Sequence, residues 1–387
     1  MRQIYLDNGS TTFPKPKAVA EAMYRYLTES GSNVGRGDYS RAYAVEEQVY
    51  EARELLCGLF HGEDCRNVIF TKNVTESLNV ILKGLLRPGD HVLVSSMEHN
   101  AVMRPLTQLS KRGVSFTRIP CREDGSLCLE EMGGLVRENT RAVVLTHASN
   151  VCGTVMPIEA AGDFCRRHHL LFIVDGAQSA GVLPIDMETM HIDALAFTGH
   201  KGLLGPQGTG GFVLGERMLP DLEPLLSGGT GSLSHTEEVP EFLPDRFEPG
   251  TLNLPGILGL RAALLWLKET GLERILRHEL DLTGQFLQGL MPLEAAGQVR
   301  ILGRPGREGR TGVVSIQPLT QDPAQAAFRL DRDFGIQTRV GLHCAPAAHR
   351  TLGTFPTGTI RFSFGWWNTE EDVAAALRAL GQILEQR

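Results

Sequence analysis

The strongest constraint on this sequence is a regular change of hydrophobic period between residues 67 and 174. Short apolar runs with strand character at 67–71, 91–95, 115–119, 142–145 and 170–174 alternate with helix-spaced segments at 75–86, 103–112, 129–136 and 158–168. This alternation predicts an α/β chain, with a mostly parallel sheet carrying helices on both faces. In such sheets ligands bind beyond the carboxyl ends of the strands. Polar residues at those ends are therefore the first candidates for chemistry.

Two such ends stand out. The run Leu170-Leu171-Phe172-Ile173-Val174 delivers Asp175-Gly176-Ala177-Gln178, and Ala194-Leu195-Ala196-Phe197 delivers Thr198-Gly199-His200-Lys201-Gly202. A lysine amine attacks a carbonyl only when it is deprotonated and held in place. Pyridoxal 5'-phosphate supplies such a carbonyl, and its pyridine nitrogen needs a carboxylate beside it. Alone, Lys201 reads as a surface lysine and Asp175 as a helix cap. Together, at the ends of two apolar strands, they point to a cofactor site.

The flanking segments give the organisation. Residues 3–6 read as a short strand before Asp7-Asn8-Gly9-Ser10, and 17–29 and 42–60 as helices. Beyond about residue 220 the pattern loosens into an α+β region, with helices at 272–290, 323–334 and 369–385 and strands near 299–302, 312–317, 336–344 and 359–364. The expected division is a large cofactor-binding domain over 15–265 and a smaller domain made of 1–14 and 266–387. Its boundary falls in or near a helix at 255–269.

Composition removes several function classes. A net charge of −7 without charge blocks gives no nucleic-acid footprint. No apolar run approaches the roughly 20 residues of a membrane span. The N-terminus has no signal-peptide pattern. Seven cysteines, an odd number without paired or metal-like spacing, suit a reduced cytoplasm and predict no metal site.

The Asp-Gly-Ala-Gln and Thr-Gly-His-Lys-Gly segments together resemble the class V aminotransferase fold. This is the fold type I group of pyridoxal-phosphate-dependent transferases that includes the cysteine desulfurases. The resemblance runs from Tyr5 to the final helix. It implies a site filled residue by residue. Val74 and Thr75, opening a helix after a strand, would hold the phosphate, a reading that helix N-termini favour in general. Thr198 and His200 would add contacts to it. Thr251, after Glu248-Pro249-Gly250, would reach the phosphate of a neighbouring subunit, which implies a homodimer. His99, after Glu98 at the end of a strand, would stack on the cofactor and move protons. Asn150 and Gln178 would lie near the phenolic oxygen.

On the substrate side, Arg361 stands inside the apolar strand Thr359-Ile360-Arg361-Phe362-Ser363. A charge there must be paired or face a cavity. A structural salt bridge is one reading. A clamp on the substrate carboxylate is the other, and it is the one the resemblance implies. Arg36, in Gly35-Arg36-Gly37, matches a family arginine at the site entrance. Cys344 sits in Arg339-Val340-Gly341-Leu342-His343-Cys344-Ala345-Pro346, which resembles the loop of type II, Suf-type desulfurases and selenocysteine lyase-like relatives. A thiolate is the nucleophile, and His343 beside it would favour that form. The implied reaction converts L-cysteine to L-alanine. Lys201 moves the Cα proton and Cys344 takes the sulfur as a persulfide for an acceptor protein or thiol, as in iron-sulfur cluster assembly. L-selenocysteine is the nearest alternative substrate, and another class V transaminase or lyase the next alternative. The sequence departs from the usual Asp-Asn-Ala-Ala at Gly9 and Ser10, and carries Leu342 where many relatives have a second histidine.

Overall fold

In the computed structural model, residues 2–35 and 37–385 are described. The chain opens with a short strand β1 (Ile4–Tyr5) and two helices, α1 (Lys17–Arg25) and α2 (Ser40–Phe60). The alternating region follows as β2 (Val68–Thr71), α3 (Val74–Leu85), β3 (His91–Ser95), α4 (Asn100–Ser110), β4 (Ser115–Ile119), α5 (Met132–Leu135), β5 (Thr140–Thr146), α6 (Ile158–Arg167) and β6 (Leu171–Asp175). Two further strands, β7 (Ala194–Thr198) and β8 (Gly210–Leu214), complete a seven-stranded sheet of order β2-β8-β7-β6-β5-β3-β4. All pairings from β7 to β4 are parallel. Strand β8 runs antiparallel to both its neighbours. Every residue of β3, β6, β7 and β8 is buried. Helices on both faces remove the solvent side, so these strands read as continuous apolar runs.

Strand β8 starts inside the glycine-rich Gly208-Thr209-Gly210-Gly211 stretch, where the sequence reading marks no strand. Its glycines serve close packing. A Cβ on Gly210 would lie 2.7 Å from the Cα of Asn73, and one on Gly211 would lie 2.4 Å from the Ile69 carbonyl oxygen.

The second half continues with α7 (Leu254–Thr270), α8 (Leu272–Ala295), β9 (Val299–Leu302), β10 (Val313–Pro318), α9 (Pro323–Phe334), β11 (Ile336–Gln337), β12 (Arg339–Gly341), α10 (Pro346–Thr351), β13 (Thr359–Ser363) and α11 (Glu370–Glu385). An antiparallel sheet of order β12-β13-β10-β9 forms here, and β1 pairs in parallel with β11. Ile4 and Leu6 are buried in the same core as Phe286, Leu330, Phe362 and Leu380. The first residues of the chain therefore pack with its last third. Between α7 and α8 stands only Gly271, at φ +87°. Helix α7 packs into the core of the large sheet, while Leu282, Phe286 and Leu290 of α8 enter the smaller core. No helix among the described residues is long and apolar enough to cross a membrane.

Two buried arginines tie distant segments together, and neither is visible in the local pattern. Arg310 donates to the carbonyls of Cys152, Leu302, Val313 and Arg304, which anchors the Ser149–Thr154 turn to the small sheet. Arg53 on α2 forms a two-point ion pair with Glu248, whose carboxylate also accepts from the Phe70 N–H at 2.6 Å. That pair fixes the start of the Thr251 loop against β2.

Candidate active site

The carboxyl end of β7 passes into Gly199-His200-Lys201, and the N-terminal segment grips this turn from outside. The His200 carbonyl accepts from the Thr12 N–H at 3.1 Å, the Thr11 hydroxyl at 3.1 Å and the Lys15 ammonium at 2.6 Å. The Lys201 carbonyl accepts from the Thr12 hydroxyl at 3.1 Å. The side chain of Lys201 is thus free to project while its backbone is held. Burial, then the nearby Arg361 guanidinium, hold its amine down to about 8, against the pull of Asp175. Near neutral pH a useful fraction is therefore unprotonated.

Asp175 closes β6 one strand away. It is buried, and one carboxylate oxygen accepts from the Ala177 N–H at 2.9 Å. Burial raises its pKa above the usual carboxylate range, and Lys201 opposes the rise. A protonated ring nitrogen beside it would hold the carboxylate ionised. Around the same turn, the Thr198 hydroxyl and the Nδ1 of His200 are buried with no partner among the described residues. Orphaned polar atoms of this kind call for a ligand. Val74 and Thr75 open α3, where the first N–H groups have no intrahelical acceptor. Asn73 caps this end by accepting from the Glu76 N–H at 2.9 Å. A buried amine, a buried carboxylate on the next strand, unpartnered donors and a helix N-terminus fit pyridoxal 5'-phosphate.

His99 caps α4, its Nδ1 accepting from the Ala101 N–H at 2.9 Å. Burial, with Lys201 next in effect, lowers its pKa to about 4, so the ring is neutral and its proton sits on Nε2. Beside it, Glu98 is fully buried. It accepts from the Ser95 hydroxyl at 2.5 Å and from the Thr146 N–H at 2.9 Å. Burial raises this carboxyl to about 8. Sequence reading noticed Glu98 only as the residue before His99. Asn150 donates to the His343 carbonyl at 2.7 Å, and Gln178 donates to the Gly9 carbonyl at 2.8 Å. Both bonds reach segments outside the large sheet, the turn after β12 and the turn after β1.

Cys344 is the one exposed cysteine of the seven. Its backbone is left-handed, at φ +56°, and its carbonyl accepts from the Asn100 N–H at 2.8 Å. Cys344 therefore stands at the start of α4, next to His99. The two share a groove of about 570 Å³ with Thr75, Asn79 and Arg104. The expected help from His343 is not present. Its ring is turned inward, with Nε2 2.9 Å from the Thr359 hydroxyl. Burial, then Arg361, lowers its pKa to about 2. A ring that stays neutral offers Cys344 no positive charge.

Arg361 is 2% exposed, so the sequence alternatives can be weighed directly. It donates to the Asn150 carbonyl at 2.9 Å and pairs with Asp7 at 2.9 Å. Its Nε is buried without a partner. The salt bridge is real, and a donor remains. Gly9 makes room for this guanidinium, because a Cβ there would lie 3.3 Å from Arg361 Cζ.

One sequence-predicted residue, Thr251, falls elsewhere. Thr251 is exposed on a separate cavity of about 250 Å³, lined also by Thr71, Lys72, Gly208 and Glu248. It shares no described cavity with Lys201 or His99. Arg36 lies outside the described residues.

The aminotransferase class-V family model matches residues 4–376. A probable cysteine desulfurase from Methanothermobacter thermautotrophicus is 35% identical over 387 residues, spanning 99% of this chain and 94% of that protein. The apo structure of a cysteine desulfurase from Thermococcus onnurineus NA1 superposes with a TM-score of 0.91 at 32% identity, covering 100% of this chain and 95% of that one. The S-sulfonic acid form of the Escherichia coli cysteine desulfurase CsdA gives a TM-score of 0.85 at 28% identity, covering 99% and 95%.

Proposed function

We infer that this chain, which belongs to the aminotransferase class-V family, is a cysteine desulfurase that converts L-cysteine to L-alanine and keeps the sulfur as a persulfide on Cys344. The observation that carries the residue assignment is the shared groove. The one exposed thiol stands beside His99, which lies within electrostatic reach of the Lys201 amine. When bound, pyridoxal 5'-phosphate supplies a carbonyl for the substrate amine and a ring that accepts electrons. Lys201, Asp175, Thr198, His200, the α3 N-terminus at Val74 and Thr75, His99, Asn150 and Gln178 would hold it.

The chain's own groups then divide the work. Arg361 orients the substrate carboxylate through its remaining donor. Lys201, about half freed of its proton near pH 8, takes the proton from Cα. The Cys344 thiolate attacks the substrate sulfur. An S–S bond forms as the C–S bond breaks, and the electron pair of that bond stays with carbon. That carbon takes the Nε2 proton of His99, the donor in reach, and Lys201 returns its proton to Cα, which gives alanine. Oxidation of the thiol to persulfide balances reduction of the carbon. The compact turn from β12 into α10 places Cys344 and supports the type II assignment. Seven free thiols suit a cytoplasmic setting, and a sulfur acceptor, such as an iron-sulfur scaffold, would follow. Thr251, exposed and sharing no described cavity with its own Lys201, supports a homodimer in which it completes the partner's phosphate site.

The test is detection of alanine and of protein persulfide after cysteine is added to purified holoenzyme, with and without reductant. Cys344→Ala is expected to keep the bound cofactor's visible absorbance and to lose the persulfide. A persulfide retained in Cys344→Ala would sink the assignment.

A further inference from the structure

Two arginines share one carboxylate at the floor of the site. Asp7 Oδ1 accepts from Arg361 Nη2 at 2.9 Å and from Arg339 Nε at 3.2 Å. Asp7 Oδ2 accepts from Arg339 Nε at 3.1 Å and from the Ser10 hydroxyl at 2.6 Å, and lies 3.0 Å from Arg339 Nη2. The Asp7 side chain is 14% exposed, Arg361 3% and Arg339 48%. This cluster adjoins the reaction site, since Gly9, packed against the Arg361 guanidinium, lines the same small cavity as Lys201.

Without Asp7 the pocket would present two guanidinium groups. One amino-acid carboxylate could not neutralise both, and buried uncompensated charge is costly. With Asp7 the pair carries one net positive charge. The unpartnered Nε of Arg361 then remains for a single incoming carboxylate. Resting on the amino-acid reading of the site, we propose that Asp7 is a specificity-determining residue: it cancels one of the two arginine charges, so that the site favours amino acids with one carboxylate over those with a second carboxylate. Ser10 holds Asp7 in this role by donating to the oxygen that faces Arg339.

The experiment compares equilibrium binding of L-serine and L-aspartate to the holoenzyme by calorimetry. Neither probe carries a sulfur, and they differ by one carboxylate. Asp7→Asn keeps the shape and removes the charge. The expected result is a shift of the aspartate-to-serine affinity ratio by about tenfold towards aspartate, the size of one added charge pairing at a partly solvated site. An unchanged ratio would overturn the proposal. If Asp7→Asn loses its native circular dichroism, Arg339→Gln supplies the complementary reading. With the pair at zero net charge, serine affinity is expected to fall about tenfold and aspartate affinity further still. Serine bound by Arg339→Gln as tightly as by wild type would equally overturn it. Asp7→Asn combined with Arg339→Gln returns the net charge to one and should restore the wild-type ratio. Alanine release from cysteine, followed separately, tests the desulfurase reading, because the binding ratio is independent of any sulfur chemistry.

Discussion

At the residue scale the site turns on how burial sets charge. Lys201 is held at about 8 because its amine is buried and faces Arg361. The neutral fraction of such an amine grows about tenfold between pH 7 and pH 9. Capture of pyridoxal 5'-phosphate by the apo-protein should therefore accelerate by that factor over the interval and level off above it. Stopped-flow absorbance measures it, and a rate flat from pH 7 to 9 would show that the amine is not the titrating group. Lys201→Ala should retain no cofactor covalently after borohydride reduction, as read by mass spectrometry. Asp175 and Lys201 were legible in the sequence because a polar residue closing an apolar strand is a local signal. Asp7 was not, since its partner Arg361 lies 354 residues away and no local period connects them. His343 misled for a related reason. Adjacency to Cys344 suggested a basic neighbour, but in the extended or left-handed backbone of a turn adjacent side chains can face opposite sides. His343 faces Thr359 while Cys344 faces solvent.

At the element scale, the alternation from β2 to β6 was readable because every switch of period coincides with a switch of structure. Strand β8 was not, because Gly208-Thr209-Gly210-Gly211 carries the signature of a loop. Its register explains the composition. Gly210 stands opposite Thr71 on one side and Thr198 on the other, and its backbone presses against Asn73. The strand therefore brings the start of α3 next to the end of β7, which is what joins the two halves of the proposed phosphate site. Gly210→Ala must push Asn73 away, because the contact is with backbone. The expected cost is about 1–3 kcal/mol of stability, as for other overpacked positions. Cofactor affinity should fall as well, measured by equilibrium dialysis. Gly133→Ala, inside helix α5, is the control: nothing lies within 4 Å of its Cβ, so stability should hold or rise and cofactor affinity should stay at the wild-type value. If the two variants behave alike, the close approach of β8 to α3 is not what orders the site.

At the scale of the whole molecule, Lys201 lies where the N-terminal segment, the large sheet and the small sheet meet. The junction holds a cavity of about 30 Å³, the size of a water, bordered by Asn8, Gln178, Lys201, Thr311, Ser363 and Glu279. Glu279 belongs to α8, which spans both cores, and burial alone raises its carboxyl to about 8. Its folded pKa thus stands above the unfolded value near 4.3. Below that value both states carry the proton and the side chain costs nothing extra. As pH rises towards 8 the unfolded chain ionises Glu279 while the folded chain retains the proton, so stability drains away through this window. Glu279→Gln removes the titration and keeps the shape. Because every other group is common to the two proteins, the difference in their urea-unfolding free energies isolates this residue. That difference should move in favour of Glu279→Gln by about 1–3 kcal/mol between pH 5 and pH 8, less than the full shift implies because the cavity can admit water. A difference that is constant with pH would mean that the junction is wet enough to carry the charge. The lysine beside it would then sit in a more open site than its lowered pKa suggests.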